Sequence, residues 1–117
     1  MQVQDLAPFS DISQETASYL DVSWTGQEVI RIALGKDEIM IGRDDTCGVH
    51  LPLSNVSWNH SRLTCNAEEY IIEDLDSTNG TYVNNISVSR CVLRNGDQVR
   101  IGDASIVFVQ QKVRDPS

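Results

Sequence analysis

Three short groups in this 117-residue chain carry the side chains best suited to chemistry: Gly42-Arg43, Ser57-Trp58-Asn59-His60, and Thr78-Asn79-Gly80. Arg43 offers a planar, permanently charged fork that suits bidentate capture of a phosphate, although an arginine at a strand end is also an ordinary solvated rim residue. Ser57 and His60, three apart, allow two readings. One is a nucleophile and base, but no GxSxG elbow accompanies them. The other is a loop serine that donates its hydroxyl to an anion beside a histidine that fixes the loop by hydrogen bonds. Asn79-Gly80 lies between two apolar runs, Tyr70-Ile71-Ile72 and Thr81-Tyr82-Val83. Asn-Gly in that setting is the strongest short-range hairpin signal, because both residues tolerate positive φ. A hairpin accounts for those two residues and leaves the donors and acceptors of Asp74, Ser77 and Thr78 unexplained.

Other chemistries find no support. There is no Walker glycine-lysine loop and no dinucleotide fingerprint. His50 and His60 lie far from paired cysteines, and Asp44-Asp45 and Asp74-Leu75-Asp76 lack the EF-hand spacing, so neither metal nor cofactor is expected. Nine Lys and Arg against 17 Asp and Glu give a net charge of -8, which disfavours nucleic acid as a partner. A small phosphate site built from a few loop residues stays compatible with that balance. Cys47, Cys65 and Cys91 are odd in number and show no CxxC spacing, so reduced thiols are expected. With no leader-like N-terminus and no long apolar run, the reading is a soluble, cytoplasmic protein with no direct membrane insertion.

The elements that must position these groups read as β. Residues 1–18 form a polar arm, with a helical turn over residues 11–17 as an alternative and Thr16 as a hydroxyl open to modification. From residue 19, Leu20, Val22 and Trp24 alternate with polar positions, followed by Val29, Ile30 and Ile32, then residues 38–41. Residues 61–66 and 70–75 pair as a hairpin, and residues 81–83, 86–88, 99–101 and 105–109 complete the series, with turns at Asn84-Asn85 and Asn95-Gly96-Asp97. About ten short strands without a helical window argue an all-β antiparallel sandwich or barrel over residues 19–111, with residues 112–117 as a polar tail. In such folds the connections cluster at the two ends, and binding groups lie there.

Taken in order, Ile41-Gly42-Arg43, Ser57-x-x-His60, Glu73-Asp74-Leu75-x-Ser77-Thr78-Asn79-Gly80-Thr81-Tyr82-Val83-Asn84 and Leu93-x-x-Gly96-Asp97-x-Val99-x-Ile101-Gly102 resemble the forkhead-associated (FHA) domain. The resemblance implies an antiparallel β-sandwich of about 11 short strands whose loops at one end bind a phosphothreonine peptide. It implies that Arg43 and Ser57 contact the phosphate, that Asn79 bonds the peptide main chain, and that Gly42, His60 and Gly80 support the site. It also implies that Thr78 assists recognition of the peptide, and Trp58 and Asn59, next to the loop serine, are further candidate peptide contacts. The family often has Arg, Lys or Asn directly after the loop serine. Here Trp58 stands there, either packed under the loop or lying against the target's side chains.

The function this implies is a non-enzymatic module that docks a phosphothreonine-bearing protein in a Ser/Thr kinase pathway. The alternative of another class is a phosphate-independent protein-protein interaction or oligomerisation domain, forming a homo-oligomer through a sheet face or edge. A hydrolase using Ser57 and His60 is the remotest reading.

Overall fold

In the computed structural model, residues 16–112 are described. They form eleven strands: β1 (Thr16–Trp24), β2 (Gln27–Leu34), β3 (Ile39–Gly42), β4 (Val49–His50), β5 (Ser61–Asn66), β6 (Glu69–Asp74), β7 (Thr81–Val83), β8 (Ile86–Val88), β9 (Arg90–Leu93), β10 (Gln98–Ile101) and β11 (Ala104–Lys112). A six-stranded sheet in the order β2-β1-β11-β10-β7-β8 faces a five-stranded sheet in the order β4-β3-β5-β6-β9. All pairs are antiparallel except β3 with β4, which run parallel. The fold is the all-β sandwich that the resemblance implied, where alternation alone left a barrel open.

Period-two patterning builds the core. On β1 and β11, Leu20 pairs with Phe108 and Val22 with Ile106, and all four are buried. Ile41, Leu63 and Ile72 meet them from the second sheet. Each such side chain contributes about 1.5–3 kcal/mol by leaving water.

Three sequence expectations change. The hairpin across Asn79-Gly80 does not form: β6 belongs to the five-stranded sheet and β7 to the six-stranded one, so residues 75–80 cross between sheets. The neighbouring turn at Asn84-Asn85 does close a hairpin, β7 with β8, with φ of 50° and 71° at its two residues. Strands β4 and β9 went unread because two and four residues carry too little alternation to register. The helical turn considered over residues 11–17 lies outside the described residues except for Thr16 and Ala17, which open β1.

Candidate functional site

Three connections meet at one end of the sandwich: β3 to β4, β4 to β5, and β6 to β7. Gly42, at the end of β3, sets how closely the first two approach. A Cβ there would fall within contact distance of the Trp58 carbonyl oxygen and 2.8 Å from its carbon, so only glycine fits. The close approach lets Arg43 N–H donate to the Ser57 carbonyl (3.0 Å) and Asp44 N–H to that of Trp58 (3.2 Å). Cys47 lies beneath, its thiol 3.5 Å from the Trp58 carbonyl. Burial, with the nearby charge of Asp44, pushes that thiol up from its ordinary value, so Cys47 acts as a small packed side chain.

His60, fully buried, ties the second connection to the third. Its Nδ1 accepts from the Ser57 backbone N–H at 3.1 Å, and because that partner can only donate, the proton of the neutral ring sits on Nε2. Nε2–H then donates to the Gly80 carbonyl at 2.8 Å. Both ring nitrogens are spent on backbone, and neither reaches the Ser57 hydroxyl. A Ser-His nucleophile pair is therefore absent from this geometry. The 4.0 Å separation of Nε2 from Asp74 Oδ1 is not an ion pair while the ring is neutral.

Asp74 shapes the third connection. Its Oδ1 accepts from the hydroxyls of Ser77 (2.6 Å) and Thr81 (2.7 Å), and its Oδ2 from Ser77 N–H (3.1 Å). Ser77 Oγ in turn accepts from Gly80 N–H at 2.9 Å, and the buried Ser61 hydroxyl donates to Thr81 Oγ1 at 2.7 Å. Burial opposes the charge on Asp74, but these donors outweigh it and hold the carboxyl below its usual range. Gly80 completes the turn at φ 88°.

The outer surface of these loops encloses a cleft of about 230 Å³, lined by Arg43, Ser54, Asn55, Val56, Ser57, Trp58, Thr78 and Asn79. Ser57 Oγ accepts from Thr78 N–H at 3.1 Å, which leaves its own O–H to donate outward. The Arg43 guanidinium lies over the exposed Trp58 ring, 4.7 Å from its centroid. Among the described residues its Nε is buried without a hydrogen-bond partner and the guanidinium forms no salt bridge, unlike Arg31 with Asp21 or Arg62 with Glu73. Asn79 spends one amide hydrogen on the Asn55 carbonyl at 3.1 Å and keeps its second hydrogen and its carbonyl oxygen. Asn59 is exposed, with Oδ1 3.9 Å from the Cys47 thiol. Trp58 thus neither packs under the loop nor stands alone.

The sequence-predicted residues Arg43, Ser57, Trp58, Thr78 and Asn79 line one cleft, while Gly42, His60 and Gly80 lie beneath it. Asp74 and Asn55 went unassigned. Asp74-x-x-Ser77 is a side-chain-to-backbone turn signal that could have been read. Asn55 carries no such signal: its Oδ1 receives Asp103 N–H at 3.2 Å across the sandwich, and Gly102, at φ 57°, leaves room for it where a Cβ would collide.

A family model described as the FHA domain matches residues 39–102. The FHA domain-containing protein FhaB of Mycobacterium tuberculosis is 36% identical over 94 residues, covering 80% of this chain and 61% of FhaB, so the chain spans under two thirds of that relative's length. A structure solved in work on phosphothreonine-dependent FHA domain interactions matches with a TM-score of 0.76 at 29% identity, over 83% of this chain and 99% of that one. The FhaA FHA domain, crystallised in complex with the intracellular domain of Rv3910, matches with a TM-score of 0.72 at 31% identity, over 78% and 98%. A family match over more than half of the sequence, laid on the same two-sheet sandwich, makes this chain a member of the forkhead-associated (FHA) domain family.

Proposed function

We propose that this domain is a non-enzymatic recognition module that binds phosphothreonine-containing protein segments in its loop cleft and so couples a Ser/Thr kinase to protein assembly. The observation that carries this reading is the state of Arg43. Its guanidinium has no carboxylate partner among the described residues, is oriented by the Trp58 ring, and opens onto the same cleft as a serine hydroxyl free to donate. A phosphothreonine supplies about -1.5 to -2 charge and three acceptor oxygens to that pair of donors. Asn79, with an amide hydrogen and a carbonyl oxygen left over, complements an extended peptide backbone. Thr78 and Trp58, exposed in the wall of the cleft, then face the residues flanking the phosphate, whereas Asn59, exposed but outside the cleft lining, keeps no role in this reading.

Arg43→Ala tests the reading. Removing one partner of a desolvated charge pair costs about 2–5 kcal/mol of binding, a rise in Kd of roughly thirtyfold to several thousandfold. Calorimetric titration with a phosphothreonine peptide selected from an oriented library should show that loss, while the circular dichroism spectrum and melting curve stay in place. Equal affinity of wild type and variant would place the phosphate elsewhere.

A further inference from the structure

We propose that the loop cleft selects phosphothreonine segments whose neighbouring residues are lysine or arginine, through three exposed carboxylates beside it, Asp45, Asp76 and Asp103. This preference rests on the phosphothreonine reading above and narrows it to a class of substrate. All three residues are exposed, and each is tied by the chain or by one hydrogen bond to the lining of the cleft. Asp45, between β3 and β4, lies two residues after Arg43. The neighbouring Asp44 N–H bonds the Trp58 carbonyl at 3.2 Å, so Asp45 stands one residue away from the Trp58 backbone. Asp76, between β6 and β7, lies two residues before Thr78. Asp103, in the turn between β10 and β11, donates its N–H to Asn55 Oδ1 at 3.2 Å. Three separate connections thus each bring one carboxylate to the same opening.

Nothing nearby neutralises these carboxylates. Among the described residues none of the three enters an ion pair or a side-chain hydrogen bond, whereas Asp21 is held by Arg31, Glu73 by Arg62, and Asp44 accepts from Thr46 N–H at 3.1 Å. Across residues 43–48, 51–60, 75–80 and 102–103, Arg43 is the one lysine or arginine, and the buried His60 ring is neutral by its hydrogen bonds. A bound phosphate therefore meets one guanidinium and three exposed like charges, on a domain whose net charge is already -8. Exposed charges act on one another within about a Debye length, roughly 10 Å at 0.1 M salt. A cation on the peptide offsets the loop carboxylates as the phosphate docks, and a carboxylate on the peptide adds to the repulsion. The Trp58 ring favours the same choice. It is 59% exposed beyond its contact with Arg43, and an apolar surface beside a carboxylate suits the methylene stem and charged head of a lysine or arginine.

Three synthetic peptides test the preference by NMR titration. They are alike except that the two residues on each side of the phosphothreonine are lysine, alanine or glutamate, and each is run beside its unphosphorylated form. Kd should rise in the order lysine, alanine, glutamate, with the lysine and glutamate peptides roughly tenfold or more apart at about 0.05 M salt and drawing together at about 0.5 M. A triple variant, Asp45→Asn, Asp76→Asn and Asp103→Asn, removes the charges at nearly constant size, and asparagine tolerates the left-handed φ of 59° found at Asp76. It should shrink the ratio between the lysine and glutamate peptides several-fold and tighten the alanine peptide. Equal affinity for the lysine and glutamate peptides would make the three carboxylates ordinary solvated surface and overturn the preference, leaving the phosphothreonine reading in place. A ratio that survives in the triple variant would overturn it as well. If no peptide binds better than its unphosphorylated form, the phosphothreonine reading falls and the preference falls with it.

Discussion

Replacing Gly42 by alanine adds one methyl group at the tightest point beneath the cleft. The new Cβ would collide with the Trp58 carbonyl oxygen and stand 2.8 Å from its carbon and 3.1 Å from His60 N, all backbone atoms held by further hydrogen bonds. No side-chain rotation relieves that contact, so the chain must move. Overpacking of this kind costs about 1–3 kcal/mol. Displacing the Trp58 carbonyl also weakens its bonds from Asp44 N–H and the Cys47 thiol, for about 1 kcal/mol more. A total of about 2–4 kcal/mol corresponds to a fall in Tm of roughly 10–30 °C for a domain of this size. Gly35 supplies the control: a Cβ there meets nothing within 4 Å and its φ lies outside the left-handed region, so Gly35→Ala should leave Tm unchanged or raise it slightly. Differential scanning calorimetry of the two variants beside wild type makes the comparison. If Gly42→Ala melts within a few degrees of Gly35→Ala, the close approach of β3 to the Trp58 backbone is not what holds the first two connections together.

The Asp74 network predicts an acid limb in stability. Because its folded-state carboxyl titrates below the ordinary value of 3.8, its contribution is present in full above about pH 4 and is lost as pH falls through the lower folded value. Urea titrations at falling pH should show this decline in wild type and a flatter limb in Asp74→Asn, and parallel limbs would refute the assignment. Asn79→Asp should leave the melting temperature within a few degrees, since the residue is exposed, yet abolish phosphopeptide binding. It replaces a donor to the Asn55 carbonyl with a negative charge beside the phosphate position. Retained binding measured by calorimetry would remove Asn79 from the site.

The fold was legible where periodicity was long. Alternation through Leu20 and Val22, and through Ser61, Leu63 and Cys65, encodes strands whose buried positions match the reading. The hairpin between β5 and β6 also appears as read, with positive φ at Ala67 and Glu68. What local sequence does not encode is which sheet a strand joins. Asn79-Gly80 carries the same turn chemistry as Asn84-Asn85, yet one spans the sandwich and the other closes a hairpin, because Asp74 and His60 capture the first from outside the turn. At the site, residue type pointed to Arg43, Ser57 and Asn79. Asn55 stayed hidden because its partner, the Asp103 N–H, is distant in sequence and contributes only backbone. The exposure of Val29 and Ile30 was equally unreadable, since an edge strand and a central strand share one apolar pattern.

The stitching of the cleft by distant partners also orders events in time. His60 needs Gly80, Ser57 needs Thr78, and Asn55 needs the turn that precedes β11. None of these closures is local, and contacts of large sequence separation form late because loop-closure entropy must be met first. Strand β11 pairs with both β1 and β10, so the six-stranded sheet is complete only after Ala104–Lys112 has been made. A chain emerging from the ribosome therefore carries a half-built cleft until β11 is made, and on the proposed function the appearance of phosphopeptide binding during refolding should coincide with burial of Phe108.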